Sequence, residues 1–297
     1  MTSKRRKKVQ KRAKRLTFIF IFLILFISIS LLFFIKKMNT DTLSAPLSLT
    51  KNAVSKKTPT EKSVPLAEIQ DTGNLVLVNS SHAVTHEPSE QSLSSVQGKI
   101  ATLGNSPIFL KSVTLNAVSQ LINQTQQAVG GNIAISSGFR SYDEQAALYA
   151  DAADKSYVQA PGHSEHETGL AADISIQNVQ NVENSPQSQY LRANCWKYGL
   201  ILRYPADKEQ ITGISNEPWH FRYIGEIHAW YCSTHNMAYE EYIAFLQKSG
   251  GYSQKLDGKT YTVSYQVPKN KEITVPLNAQ YNLSSDNTGG YIVTSWK

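Results

Sequence analysis

The chain has 297 residues, 41% of them hydrophobic, an ordinary share for a globular protein and enough for one large domain or two small ones. Its formal charge of +7 is concentrated at one end: residues 1–40 hold eleven basic residues and no acidic one. Removing those eleven from the total of 30 leaves 19 basic against 23 acidic residues, near −4, which argues against nucleic acid as a partner of the remainder.

A basic tail over 1–16 is followed by nineteen residues, 17–35, without a charge or a proline. A helix needs roughly 20 apolar residues to cross a hydrocarbon core, so this run predicts a transmembrane signal anchor. The positive-inside rule then predicts a single-pass protein of the cell membrane with everything after Ile35 outside the cytoplasm. Residues 36–97, rich in Ser, Thr, Asn, Lys and Pro, read as a flexible stalk.

Pattern returns over 98–250. Apolar residues at 115, 118, 121 and 122 predict a helix over 113–129, ended by Gly130-Gly131, and 132–137 (NIAISS) reads as a buried strand. Ser141 and Glu144 form a capping box, predicting a helix from Tyr142 to about Asp154. Next come a strand over 169–176, a helix over 187–198 stopped by Gly199, a strand over 219–224, and helices near 226–234 and 238–248. Gly250-Gly251 marks a boundary. Beyond it, 261–267 and 290–296 alternate as half-buried strands do, predicting a β-rich extension over 251–297. Cys195 and Cys232 either pair or remain two buried thiols, and neither sits in a C-x-x-C spacing.

Two histidines sit in richer company than the other five. His166 and Asp173 lie seven apart with Gly169 between them, so a turn at Thr168-Gly169 is needed before both can face one ion. In EPWHFRY (217–223), alternation places Trp219, Phe221 and Tyr223 on a core-facing side and His220 with Arg222 on the other. Glu217 is off by one, and a bulge at Pro218 would bring its carboxylate beside His220. His, Asp and His leave a fourth position open for water, as catalytic zinc requires, and a nearby glutamate that is not a ligand can take the water's proton. Arg140 follows Gly138 on a turn at the mouth of the helix that carries Gln145. A guanidinium there could hold a carboxylate or an oxyanion, although a lone turn arginine more often forms a surface salt bridge. His163, three residues before His166, reads as solvent-exposed rather than as a stray ligand.

SSGFRSYDEQAALY, PGHSEHETGLAADI, YGLILRYP and TGISNEPWHFRYIG, in this order over about 107–248, resemble the VanY-type zinc D-alanyl-D-alanine carboxypeptidases, including the related L,D-carboxypeptidases. The resemblance implies an α+β fold, a small antiparallel sheet flanked by helices of the hedgehog-like kind. It also implies one zinc ion per chain on His166, Asp173 and His220, with Glu217 as general base and Arg140 holding the substrate and its tetrahedral intermediate. Ser164 and Gln145 match positions that the family uses around the substrate, and Tyr204 in the RYP segment is a candidate for the pocket wall. The implied partners are peptidoglycan stem peptides and the implied reaction is removal of their terminal D-alanine. Action on tetrapeptide stems, or endopeptidase action with the same zinc chemistry, stays open.

Overall fold

The computed structural model describes residues 60–69, 73–180 and 182–297. Strand β1 (Glu61–Pro65) leads toward a segment that buries Leu75, Val76, Leu77 and Val78. β2 (Leu93–Ser95) and β3 (Phe109–Lys111) pair antiparallel just before α1 (Ser112–Val129), the longest helix among the described residues. α1 turns Leu115, Val118, Leu121, Ile122 and Thr125 inward at helical spacing and ends on Gly130 at φ 66°. These side chains pack on Ile133, Ile135, Ile174, Ile176 and Phe221, forming the main apolar core.

β4 (Asn132–Ser137), β5 (Ala171–Gln177), β6 (Leu200–Tyr204) and β7 (Glu217–Tyr223) form an antiparallel sheet in the order β4-β5-β7-β6. Helix α2 (Tyr142–Asp151) follows the expected Ser141–Glu144 capping box but stops three residues early, where Asp154 caps a separate turn over Lys155–Tyr157. α3 (Pro186–Asn194), with Pro186 in its first turn, passes into a tighter turn, Cys195–Tyr198, before Gly199. α4 (Glu209–Thr212) is a single turn; α5 (Glu226–His235) and α6 (Tyr239–Ser249) complete the α-helices among the described residues. Cys195 and Cys232 are free and buried.

The C-terminal extension contributes β8 (Gly251–Leu256), β9 (Lys259–Gln266), β10 (Glu272–Pro276), β11 (Gln280–Ser285) and β12 (Tyr291–Trp296). Four of them make a sheet in the order β11-β12-β9-β8, while β10 pairs with β1. Gly250-Gly251 is a change of secondary structure and not a break in packing. One apolar cluster joins Leu75 and Leu77 to Ile227, Tyr242 and Leu246 and onward to Val263 and Ile292.

Two expectations are corrected. The stalk expected over 36–97 does not describe its second half: Leu75 to Val78 are buried, and Arg222 and Tyr239 donate to the carbonyls of Asn74, Leu75 and Val76. The expected single-pass membrane protein, its membrane partner and its cell-membrane localisation are also overturned. Among the described residues no helix is long and apolar enough to cross a membrane. The longest, α1, is amphipathic and exposes Asn116, Gln120, Asn123, Gln124, Gln126 and Gln127. The span expected over 17–35 and the basic tail over 1–16 lie outside the described residues. The fold is therefore α+β, with small sheets flanked by helices and no membrane helix in its description.

Candidate metal centre

The register of the central sheet assembles the site. Asp173 on β5 stands directly opposite His220 on β7. Between Phe221 and Glu217 on β7 lie four steps, matched by only two on β6, from Leu202 to Tyr204. This irregularity between Glu217 and Phe221 accompanies an approach of the Glu217 carboxylate to 3.6 Å from His220 Nδ1. It also breaks the expected aromatic row: Phe221 is buried and Tyr223 half-buried, but Trp219 is 39% exposed and lies 6.4 Å from the ring of Tyr157 at the cavity mouth.

His166 arrives from a short turn, Glu165–Thr168, capped by Ser164, whose Oγ accepts from His166 N at 3.3 Å. The turn ends at Gly169 with φ 68°, where a side chain would also press on Leu93 at 3.0 Å. His166 Nδ1 donates to the Gly138 carbonyl at 2.7 Å, which leaves the Nε2 lone pair facing Asp173 Oδ2 at 3.5 Å. Gly138 has no room for a side chain, since a Cβ would stand 2.5 Å from the Phe109 carbonyl oxygen. On the other ring, His220 Nδ1 faces Asp173 Oδ1 at 3.1 Å and Nε2 faces Glu165 Oε2 at 3.4 Å.

Ligand atoms of His166, Asp173 and His220 lie within 4.8 Å of one another. Asp173 Oδ1 is buried and makes no hydrogen bond, although it lies in charge contact with His220. With Nε2–H of His220 directed to Glu165, two lone pairs meet at the centre, an arrangement that calls for a cation. Two imidazoles and one carboxylate, with cavity space beside them, fit a zinc site that keeps an open position.

Burial lowers the pKa of His166, favouring the neutral, ligating ring. Burial opposes charge on His220 as well, but Asp173, Glu165 and Glu217 outweigh it and raise His220 to about 10. Burial also works against charge on Asp173, yet His166 and His220 hold it below the ordinary carboxylate range. A bound cation takes over the role of those protons. Glu217 is pushed up to about 7 by burial, with His220 opposing and Asp173 and Glu165 adding to the rise.

Arg140 is fixed from both sides: Nη1 donates to Gln145 Oε1 at 2.5 Å and Nη2 to Ser137 Oγ at 3.1 Å. Gln145 is itself held by the Gln159 carbonyl at 2.6 Å. Burial lowers Arg140 from its ordinary value, with Asp173 and Glu144 working against the fall, and a guanidinium stays charged throughout. The Tyr204 ring packs 4.9 Å from that of His220, and burial pushes its phenol well above its ordinary range. Arg140, Gln145, Ser164, His166, Asp173, Tyr204, Glu217 and His220 all line one cavity of about 200 Å³. A larger cleft of about 790 Å³, between residues 73–92 and the C-terminal sheet, contains none of these groups. His163 is neither a ligand nor exposed: its Nδ1 meets the Asn79 carbonyl at 2.7 Å.

Sequence reasoning passed over Glu165, Arg203 and Glu240. Arg203 Nε and Arg222 Nη1 each donate to Glu165 Oε1 at 2.8 Å, and Arg203 also reaches Glu240 at 2.6 and 2.8 Å. Burial opposes the charge of Glu165, but the two arginines hold it well below the ordinary carboxylate range. The available signal was an arginine inside the otherwise apolar strand LILRY and a second one next to Phe221 in EPWHFRY, a pattern that marks buried charges needing partners.

The profile of the VanY family, D-alanyl-D-alanine carboxypeptidase, matches residues 107–226. A D-alanyl-D-alanine carboxypeptidase of Enterococcus faecium is 34% identical over 250 residues, covering 82% of this chain and 82% of the relative. The solved vancomycin-resistance D,D-dipeptidase VanXYg, in complex with a D-Ala-D-Ala phosphinate analog, superposes with a TM-score of 0.68 at 29% identity, covering 80% of this chain and 98% of that one. The LdcB LD-carboxypeptidase gives a TM-score of 0.50 at 31% identity, over 57% and 84% of the two chains.

Proposed function

Since the chain belongs to the VanY-type D-alanyl-D-alanine carboxypeptidase family, we propose that it hydrolyses the terminal D-alanine from peptidoglycan stem peptides, with one zinc ion held by His166, Asp173 and His220. The observation that carries this reading is the meeting of the three ligand side chains with Arg140 and Glu217 in one cavity. When bound, zinc polarises the scissile carbonyl and makes water a competent nucleophile near neutral pH. Glu217 accepts the attacking water's proton on its carboxylate and passes it to the nitrogen of the departing D-alanine. Its elevated pKa, near 7, matches a base that must also release the proton. Arg140, pre-oriented by Gln145 and Ser137, directs N–H donors at the substrate carbonyl oxygen or terminal carboxylate. Ser164 shapes the loop that carries His166, and Tyr204 forms the wall behind His220.

The likeness to LdcB supports L,D-tetrapeptide stems as a second reading. Incubating the purified protein with pentapeptide and tetrapeptide stems and following products by mass spectrometry separates the two. Release of one alanine from the pentapeptide is the expected result. Cleavage inside the stem, with no alanine released from either substrate, would refute the carboxypeptidase reading in favour of an endopeptidase.

A further inference from the structure

Beside His220 lies a group of charges to which the reaction above gives no role: Glu165 is part of the cavity wall, while Arg203 and Arg222 lie outside its lining. Glu165, Arg203 and Arg222 are buried to within 1% of full exclusion from solvent. The two carboxylate oxygens of Glu165 have separate tasks: Oε1 accepts from both arginines at 2.8 Å, and Oε2 faces His220 Nε2 at 3.4 Å. Neither arginine has slack. Arg203 is completed by Glu240, and Arg222 by the carbonyls of Asn74, Val76 and Tyr223. Desolvating so many charges is costly, and apolar residues of the same volume often stabilise a fold equally well, so stability alone does not account for this group. What it adds is direction at one ring nitrogen of His220.

We propose that Glu165 is a positioning residue for the metal centre: by accepting the Nε2–H of His220 it presents the Nδ1 lone pair to the ion. The inference rests on the reading of His166, Asp173 and His220 as the zinc ligands. Glutamine has the same shape but cannot replace Glu165. With its oxygen toward the arginines, its NH₂ meets Nε2 and favours the tautomer with hydrogen on Nδ1, the wrong one for ligation; flipped, its NH₂ meets two guanidinium donors. Partners behind a metal-bound histidine typically govern 10–100-fold in metal affinity.

The test compares zinc affinity, by competition with a chromophoric chelator, in wild type, Glu165→Gln and Glu240→Gln, with the fold of each metal-free protein checked by circular dichroism. Glu240 belongs to the same ion group but has no contact with His220. Zinc binding about 10–100-fold weaker in Glu165→Gln, with Glu240→Gln near wild type, is the expected result. Unchanged affinity in Glu165→Gln, or equal losses in both variants, would overturn the assignment. Should Glu165→Gln not fold, long-range ¹H–¹⁵N correlation spectra of the wild-type zinc protein decide the matter. Ligation of His220 through Nδ1 with hydrogen on Nε2 sustains the proposal, and ligation through Nε2 ends it. A wild-type protein that takes up no zinc would instead overturn the ligand assignment beneath it.

Discussion

Asp173 and His220 stand opposite each other on neighbouring antiparallel strands, with Oδ1 of one 3.1 Å from Nδ1 of the other. Two of the three ligands are therefore held by the hydrogen-bond ladder of the sheet, and only His166 depends on a turn. A one-residue slip of β5 against β7 would send Asp173 to the opposite face.

This register predicts metal content. The purified protein should contain about one zinc per chain by elemental analysis, and Asp173→Ala should lose most of it. Retention of zinc in a variant lacking all three ligands would show that the ion sits elsewhere.

Glu217→Gln should keep both fold and zinc while kcat falls roughly 10²-fold or more, as expected for loss of a general base. A base must be deprotonated to act, so wild-type kcat/KM should fall as the pH drops below the pKa of Glu217. Burial places that pKa near 7 before a cation is added, and the cation's charge moves it lower, so the acid limb lies below about 7. Near-normal turnover in Glu217→Gln would remove it from the mechanism.

Arg140 is gripped by Gln145 and Ser137 so that its planar fork, not only its charge, faces the cavity. Arg140→Lys should then be almost as damaging as Arg140→Ala, each costing about 1.5 to 3 kcal/mol, or roughly ten- to a hundredfold in kcat/KM. Steady-state kinetics on a stem peptide give the answer directly, and a lysine variant close to wild type would mean that charge alone suffices.

His228 provides a pH test away from the cavity. Its Nδ1 meets Tyr242 Oη at 2.5 Å and its Nε2 meets Thr294 Oγ1 at 2.8 Å, and burial pushes its pKa down to about 3. The unfolded chain takes up a proton near the ordinary value of 6.5 and the folded protein does not, so stability is lost as pH falls from 6.5 toward 3. Between pH 7 and pH 5, urea denaturation should show wild type losing about 2 kcal/mol more than His228→Gln. Equal losses would show that His228 does not titrate in this way.

Much of the site was legible because local rules governed it. The Ser141–Glu144 capping box, the turn at Gly169 and the helix stop at Gly130 each depend on residues within a few positions of one another. What escaped depended on distant partners. β6 was not anticipated because Arg203 interrupts a short apolar run, and only Glu165 and Glu240, both more than 30 residues away, explain a charge there. Trp219 was assigned to the core because the bulge expected at Pro218 was taken to leave the alternation from Trp219 onward intact, whereas the register shift spans the stretch between Glu217 and Phe221 that includes Trp219. Residues 74–78 looked like stalk because four apolar residues in a polar stretch carry little periodic signal. Their burial depends on distant segments: Leu75 and Leu77 pack with α5, α6 and the C-terminal sheet, and Val76 and Val78 with Leu170 and Tyr223.

The pairing of β1 with β10 joins residues more than 200 positions apart, Glu61 with Pro276 and Pro65 with Glu272. During synthesis the first of these strands leaves the ribosome long before its partner exists, so its open edge must wait through most of translation. The catalytic sheet, complete by Tyr223, has all its strands earlier. Loop closure over such a distance costs only slightly more free energy than over half of it, but it slows folding, because the entropy is lost before any contact compensates. The central sheet therefore has all its strands available before β1 has a partner.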